Sequence, residues 1–431
     1  MTNYLCKILV VLCFFQISAL GLAVDKSHFI KTIIEDPHKV LLIVRPNSWG
    51  KSSNLRAIEN FLMINMLDNC EHNDIIHTHK LRKLPHKKIS GHTEIIDNHF
   101  DQYPTIFISL RITNVKTIEE LHTQLSNRIK KLYQKYIYVS NSPHLNVEEI
   151  SIIKKYADDK SIFTKIELQE SLRFLSNMMY KHFNREVLFL VDEYDAIVNN
   201  WYYEKYAEGN LHPEPDEVLL EIYDIVGPMI RHMIENNDGL YKAIIGGSTC
   251  IPEMHIFDGI KSFREDSILN PNFTQYFGFS KEEIIALLKK EKIWFDDTIL
   301  ANIQSWYGGY NVGGVEIYNP KAIMRMIRRY KQYKDLVLTH VRNIHLKANF
   351  KSEKRQKELA QLLDGEGINI IADPNVGLKD LHSTTDSFYT LLAYQGFLSV
   401  ENIRKKNDGT YSCKVKIPNK EYKEVFERAR I

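Results

Sequence analysis

The chain has 431 residues, 44% of them hydrophobic, enough for two or three domains with cores of their own. A formal charge of +2 supplies no basic field of the kind that holds nucleic acid by electrostatics alone, so charge identifies no partner. Five cysteines, at Cys6, Cys13, Cys70, Cys250 and Cys413, are too few and too scattered for a disulfide-built scaffold; the three beyond residue 23 permit at most one bridge.

The first 23 residues carry Lys7, an apolar run from Ile8 to Ile17, and small residues ending in Gly21-Leu22-Ala23. This is the pattern of a signal peptide cleaved after Ala23, and it predicts a secreted protein. The run is too short, and too interrupted by Gln16, for a membrane anchor, and no later segment is long and apolar enough to span a bilayer. Asn272-Phe273-Thr274 is an acceptor pattern for glycosylation in a eukaryotic host.

Val40–Val44 is a continuous β-branched and aliphatic run that predicts a strand buried on both faces. It ends in Arg45-Pro-Asn-Ser-Trp-Gly50-Lys51-Ser52 and passes into a helical pattern. A strand, a tight turn and a helix N-terminus surround an anion with backbone N–H groups, so this stretch reads as a phosphate-binding loop. Lys51 would reach the terminal phosphates of a nucleotide, and the Ser52 hydroxyl would help to hold Mg²⁺. One departure stands out: the Gly that usually opens such a loop is replaced by Arg45.

His72, His77, His79, His86, His92 and His99, interleaved with Lys80, Arg82, Lys83, Lys87 and Lys88, fit no zinc spacing and read as a solvated insertion. Thr105–Leu110 is a second strand pattern, followed by helical periodicity over Thr117–Tyr136 and Ser161–Phe183 whose apolar stripes face a core. Val187–Val191 is a third buried strand, and it emerges into Asp192-Glu193. Asp192 is placed to hold Mg²⁺ through water, and Glu193 to activate the water that attacks the terminal phosphate. Ala243–Ile245 is a fourth strand. Strands alternating with helices from Asp25 to about Gly278 predict a parallel sheet with helices on both faces and a ligand beyond the carboxyl ends of its strands.

Residues 280–377 read as helical and lid-like, starting from the capping box Ser280-Lys-Glu-Glu283; their block Trp306-Tyr-Gly-Gly-Tyr310 either faces the nucleotide or packs a domain junction. Residues 378–431 read as helix, strand, turn at Asn407-Asp-Gly409, strand and helix, a winged-helix-like module with only a modest basic wing at Lys405, Lys406 and Lys414. A protein partner suits that wing better than DNA.

Taken together, VDKSHFIKTII, RPNSWGKSSNL, YPTIFISL, VLFLVDEYDAIV, IFDGIKSFREDSIL, FTQYFGFSKEEI, WYGGYNVGGVEIYNP and IPNKEYKEVFE make the chain, from Val24 almost to Ile431, resemble the bacterial-type predicted AAA-ATPase-like family. The resemblance implies a P-loop NTPase core over residues 24–279 with Walker A and Walker B elements. It implies ATP with Mg²⁺ as cofactors, nucleotide contacts from Arg45, Asn47, Ser48, Trp49, Gly50, Lys51, Ser52 and Ser53, metal held by Ser52 and Asp192, and catalysis by Lys51 and Glu193.

Departures from the family pattern temper turnover more than binding. Basic residues usual in the loop are replaced by Asn47 and Ser48, and the basic residue expected after the fourth strand is missing from Gly246-Gly-Ser-Thr-Cys250. A charge-stabilising Arg contributes about 10³–10⁵ in rate to phosphoryl transfer. The nuclease-like domain that often follows in the family is not found after residue 350. Two readings stand: a secreted ATPase that couples weak hydrolysis to partner binding, and a non-enzymatic secreted effector with a degenerate nucleotide pocket. A nucleic-acid-directed ATPase is the weakest alternative.

Overall fold

The computed structural model describes residues 24–64, 88–208, 210, 212–333, 350 and 352–428. Helix α1, His28–Glu35, leads into strand β1, Val40–Val44, and helix α2, Lys51–Leu62, follows the loop. Helix α3, Thr93–His99, precedes β2, Thr105–Ser109. Helices α4 (Ile118–Lys135), α5 (Val147–Ala157) and α6 (Lys165–Phe183) then lead to β3, Val187–Asp192. Helices α7 (Ala196–Ala207) and α8 (Glu217–Ile234) precede β4, Leu240–Gly247, and β5, Phe263–Asp266.

These five strands form one parallel sheet in the order β2-β3-β4-β1-β5. Side chains alternate between its faces, and both are covered. On one face Leu41 and Ile43 of β1 join Phe29, Ile30 and Ile33 of α1 and Leu55, Ile58 and Leu62 of α2. On the other, Val40, Leu42 and Val44 join the stripes Leu121/Leu125/Ile129, Leu168/Leu172/Leu175 and Ile222/Ile225/Met229 of α4, α6 and α8. The spacing of three and four residues puts each stripe on one side of its helix. Each such side chain taken from water contributes on the order of 1.5–3 kcal/mol. Side-chain caps at Thr117, Asn146 and Thr164 fix where the helices between β2 and β3 begin. Strand β5 has the sequence Phe263-Arg-Glu-Asp266, whose three charged residues hide it from hydrophobic pattern alone.

Beyond the sheet, α9 (Lys281–Lys290), capped by the expected Ser280–Glu283 box, α10 (Asp297–Tyr307), a hairpin of β6 (Tyr310–Val312) and β7 (Val315–Ile317), and α11 (Pro320–Tyr333) follow. The helices build a small core of their own around Leu288, Ile303 and Ile323. After α12 (Glu353–Leu363) come β8 (Ile368–Ala372), α13 (Thr385–Tyr394), β9 (Ser399–Lys405), β10 (Tyr411–Lys416) and α14 (Lys420–Glu427). The stretch 280–377, which the sequence predicts to be helical, is therefore only partly so: it contains the β6–β7 hairpin and β8, and β8 pairs with β10 in a three-stranded antiparallel sheet, β8-β10-β9. Strand β8 alternates buried and solvent-facing residues over only five positions, too short a signal to stand out beside α12.

This C-terminal sheet shares the core of the parallel sheet, since Tyr394, Leu398 and Val415 belong to the same apolar cluster as Phe189 and Ile245. Glu265 lies at that junction. Its Oε1 has no hydrogen-bond partner, and its charge acts on Tyr394, Tyr411 and Cys250. Burial, reinforced by Asp266 and Asp373 against Ser267 and Arg45, pushes its carboxyl up to about 7.

Residues 1–23, which hold the signal-peptide pattern, and His72, His77, His79 and His86 lie outside the described residues. His92 and His99 make local contacts, His92 with His28 at 3.2 Å and His99 with the Tyr103 hydroxyl at 2.7 Å. Among the described residues no group of three or more metal-ligating side chains is found, and no helix is long and apolar enough to cross a membrane.

A raised folded-state value means that Glu265 contributes stability that is fully present below about pH 4.5 and is lost as pH rises through about 7. We expect the free energy of unfolding of the full chain to fall by about 1–3 kcal/mol between pH 5 and 7.5 from this group, and Glu265→Gln to flatten that slope in urea titrations.

Candidate functional site

The loop leaves β1 beside β4 and β5, and its geometry begins with a buried ion pair. Arg45 has no solvent exposure; its guanidinium donates to the Asp266 carboxylate at 2.5 Å and to the carbonyls of Asp266 and Val44 at 3.0 and 2.9 Å. The Arg45 side chain is thus spent on the end of β5, and the expectation that it contacts a nucleotide is not met by its placement. Only its carbonyl turns toward the loop interior, where it accepts from Lys51 Nζ at 2.7 Å, with the Pro46 carbonyl at 3.2 Å.

Asn47 and Ser48 lie exposed at the turn, and Ser48 and Gly50 both take left-handed backbone angles, φ 70° and 97°. Left-handed residues flanking Trp49 curl successive amides toward one side, the concave arrangement that receives anions. Gly50 also starts α2, where a Cβ would be strained at that φ. Trp49, by contrast, is 2% exposed and packs edge-on against Tyr310. Ser52 and Ser53 are exposed on the first turn of α2. Of the eight loop residues expected to surround a nucleotide, the turn amides, Lys51, Ser52 and Ser53 lie at the helix start, while the Arg45 and Trp49 side chains point into the protein.

Across from the loop stands the end of β3. Because β4 is inserted between β1 and β3, the two chain ends are separated by two strand spacings, about 10 Å. Asp192 is 7% exposed and its Oδ1 is a buried carboxylate oxygen with no hydrogen-bond partner. Glu193 sits at φ 55°, a left-handed conformation that costs a non-glycine residue on the order of 1–2 kcal/mol and marks a site where position matters more than comfort. Its carboxylate lies 3.6 Å from the exposed Arg111 guanidinium, just past β2. Burial pushes the Glu193 carboxyl up, with Asp192 and Asp195 adding to the shift and Arg111 and Lys51 opposing it. Burial pulls the Lys51 ammonium down, against attraction from Asp195, Asp192 and Glu193. Lysine and the acidic strand end therefore share one electrostatic site.

Asp195 is the residue that sequence reasoning passed over. It is 2% exposed, and its Oδ2 accepts from the Ser248 and Thr249 amides at 2.8 Å each, from their hydroxyls at 2.8 and 3.1 Å, and from Asn199 Nδ2 at 2.7 Å. This ties the turn after β3 to the end of β4. It also explains Gly246-Gly-Ser-Thr: a Cβ on Gly247 would lie 2.5 Å from the Tyr194 ring, and the two hydroxyls belong to Asp195. The only available signal was an Asp three residues after Asp192, together with a Ser-Thr pair after β4. Cys250 and Cys413 are free and buried, so those two cysteines form no bridge. Burial raises both thiols, Cys250 well above and Cys413 to about 12.

The donor set fits a hydrated Mg²⁺: one buried, unpaired carboxylate oxygen at Asp192 and a serine hydroxyl at the helix start.

Two outcomes follow. Breaking one member of the buried pair, as in Asp266→Ala, should cost about 3–5 kcal/mol in urea unfolding, while Arg45→Met with Asp266→Leu should recover only part of it, because the amides of Asn272 and Phe273 still lose their acceptor. In the native chain at pH 7.5, Cys250 and Cys413 should resist iodoacetamide, as read by peptide mass mapping, and react once the chain is unfolded.

None of the curated proteins matches the chain. Among solved structures, a chain from "Structure of Drosophila ORC bound to DNA" aligns over 94% of this chain and 84% of that one, at 10% identity and a TM-score of 0.26, a likeness too slight to bear on function. The model of the predicted AAA-ATPase family matches residues 14–236, more than half of the chain, and spans the loop, the acidic strand end and Asp195. The chain belongs to the predicted AAA-ATPase family.

Proposed function

We propose that the chain binds ATP with Mg²⁺ between the loop at residues 45–53 and the Asp192-Glu193 strand end, and that it hydrolyses it slowly. The observation that carries this reading is the buried Lys51 ammonium under the joint field of Asp192, Glu193 and Asp195, beside a buried Asp192 oxygen that no protein group satisfies. A cation facing the carboxylates of Asp192 and Glu193 at the carboxyl end of one sheet suits a polyphosphate bound through a divalent ion.

In this reading the turn amides and Lys51 receive the terminal phosphates, and Lys51 exchanges its two loop carbonyls for phosphate oxygens. Ser52 and Asp192 hold Mg²⁺, which when bound neutralises phosphate charge. Glu193 takes the proton of the attacking water, and its raised carboxyl makes it a better base than an ordinary glutamate. Arg111 pairs with Glu193 and restrains it until substrate arrives. The order α12, β8, α13, β9, β10, with β8 added to the hairpin, supports a winged-helix reading of the C-terminal module. The N-terminal pattern supports export with cleavage after Ala23.

One observation favours a second reading, binding without turnover. The loop tip offers Asn47 and Ser48 in place of cations, and the hydroxyls after β4 face Asp195, so neither the loop tip nor the turn after β4 adds positive charge to that of Lys51 and Arg111.

We expect Lys51→Ala to abolish ATP binding and turnover in equilibrium dialysis and single-turnover assays, and Glu193→Gln to retain binding while losing turnover by about 10²-fold or more. Because Glu193 works ionised and its carboxyl is raised, turnover should fall as pH drops through that raised value, and ATP affinity should not follow the same curve. Absence of ATP binding by the parent chain at millimolar nucleotide with Mg²⁺ would overturn the reading. Binding with no turnover would select the second one.

A further inference from the structure

The loop is physically joined to the C-terminal module. Trp49 sits at the centre of a phosphate-binding loop yet is almost wholly buried, with its ring 5.0 Å from that of Tyr310 at an interplanar angle of 84°. The Tyr310 hydroxyl donates to the carbonyl of Gly396 at 2.7 Å, at the end of α13, and its ring meets Tyr422 of α14. Gly396 takes φ 80°, and a Cβ there would lie 3.0 Å from the Pro46 ring and 3.8 Å from the Trp49 indole nitrogen. The neighbouring strands are also joined, by the Asn311 amide donating to Ser399 Oγ at 3.1 Å. No solvent layer separates the loop from the module at these contacts.

Three features make this seam responsive to the state of the loop. Lys51 donates to the carbonyls of Arg45 and Pro46, so an anion that recruits the ammonium leaves both carbonyls without that donor. Arg45 is pinned by Asp266, so adjustment falls on Pro46 to Trp49 rather than on the strand. Finally, the seam is closely packed: the void lined by Pro46, Trp49, Tyr310, Asn311, Gly396 and Ser399 amounts to about 10 Å³, so a shift of the indole must displace these neighbours. Close-packed groups shift between discrete arrangements rather than deforming continuously.

We propose that Trp49 couples phosphate occupancy of the loop to the C-terminal three-stranded sheet through Tyr310 and Gly396, so that nucleotide state is read out at that module. The inference rests on the nucleotide reading above and specifies its regulation.

The test is amide hydrogen exchange of the full chain with and without millimolar ATP and Mg²⁺, with ATP binding measured separately by equilibrium dialysis. It compares the parent with Tyr310→Leu, which removes the ring facing Trp49, and with Tyr310→Phe, which keeps the ring and removes the hydroxyl that donates to Gly396. In the parent, ATP should change exchange several-fold at residues 310–312 and 396–400 as well as in the loop. Tyr310→Leu should bind ATP within about threefold of the parent and lose the distant change, with Tyr310→Phe intermediate. Should Tyr310→Leu fail to fold, an attenuated response in Tyr310→Phe carries the result. ATP binding with exchange changes confined to the loop, or a distant change unaffected in both variants, would overturn the coupling and leave the nucleotide reading intact. No ATP binding by the parent would overturn both.

Discussion

The Arg45–Asp266 pair is the constraint on which the rest of the site depends. Two fully buried charges 2.5 Å apart cross-link the ends of β1 and β5 at the point where the chain leaves the sheet to form the loop. A buried pair contributes little net stability when weighed against an apolar replacement, but it is specific about geometry, because either charge alone is costly. Here it fixes the first residue of the loop, and Asp266 extends the constraint by accepting the amides of Asn272 and Phe273. The position that most such loops leave to glycine is therefore given to a structural anchor.

A second tie acts on the opposite side. Asp195 gathers the end of β4 to the turn after β3, as Arg45 gathers β1 to β5, so the strand ends bordering the site are held by buried side chains rather than by loops. Between these two ties lie the chemical groups: Lys51 bonded to loop carbonyls, Glu193 in an uncomfortable backbone conformation, and Asp192 with an unsatisfied oxygen. Rigid framing of reactive groups is what electrostatic preorganisation requires, since charges that must reorganise lose much of their effect. The aromatic block at 306–310, which from its residues alone suited either the ligand or a junction, packs the junction, and it does so against the loop's own Trp49.

Much of this was legible from sequence where local pattern and burial agree. Val40–Val44 and Val187–Val191 are strands because runs of branched residues can be satisfied only between two covering layers, and the Ser280–Glu283 box starts a helix because both side chains complete backbone bonds. Gly50-Lys51-Ser52 and Asp192-Glu193 were placed at strand ends by the same logic, and the fold brings them into one electrostatic site. Strand β5 was hidden because its charged side chains find partners across long sequence separations, Arg264 with Asp36 and Asp266 with Arg45. Strand β8 was hidden because it is short and half exposed.

What the sequence determined by itself was the set of covalent and periodic facts: which residues could enclose a phosphate, which runs must be buried, and where helices start. Only the tertiary structure decided the use of each polar group. Arg45 serves a carboxylate 221 residues away rather than a ligand, Asp195 serves a turn 53 residues away, and Trp49 serves a module beyond residue 300. The physical reason is that a side chain's role follows from the partner that desolvates it, and such partners are chosen by packing across the sheet, which no local window contains.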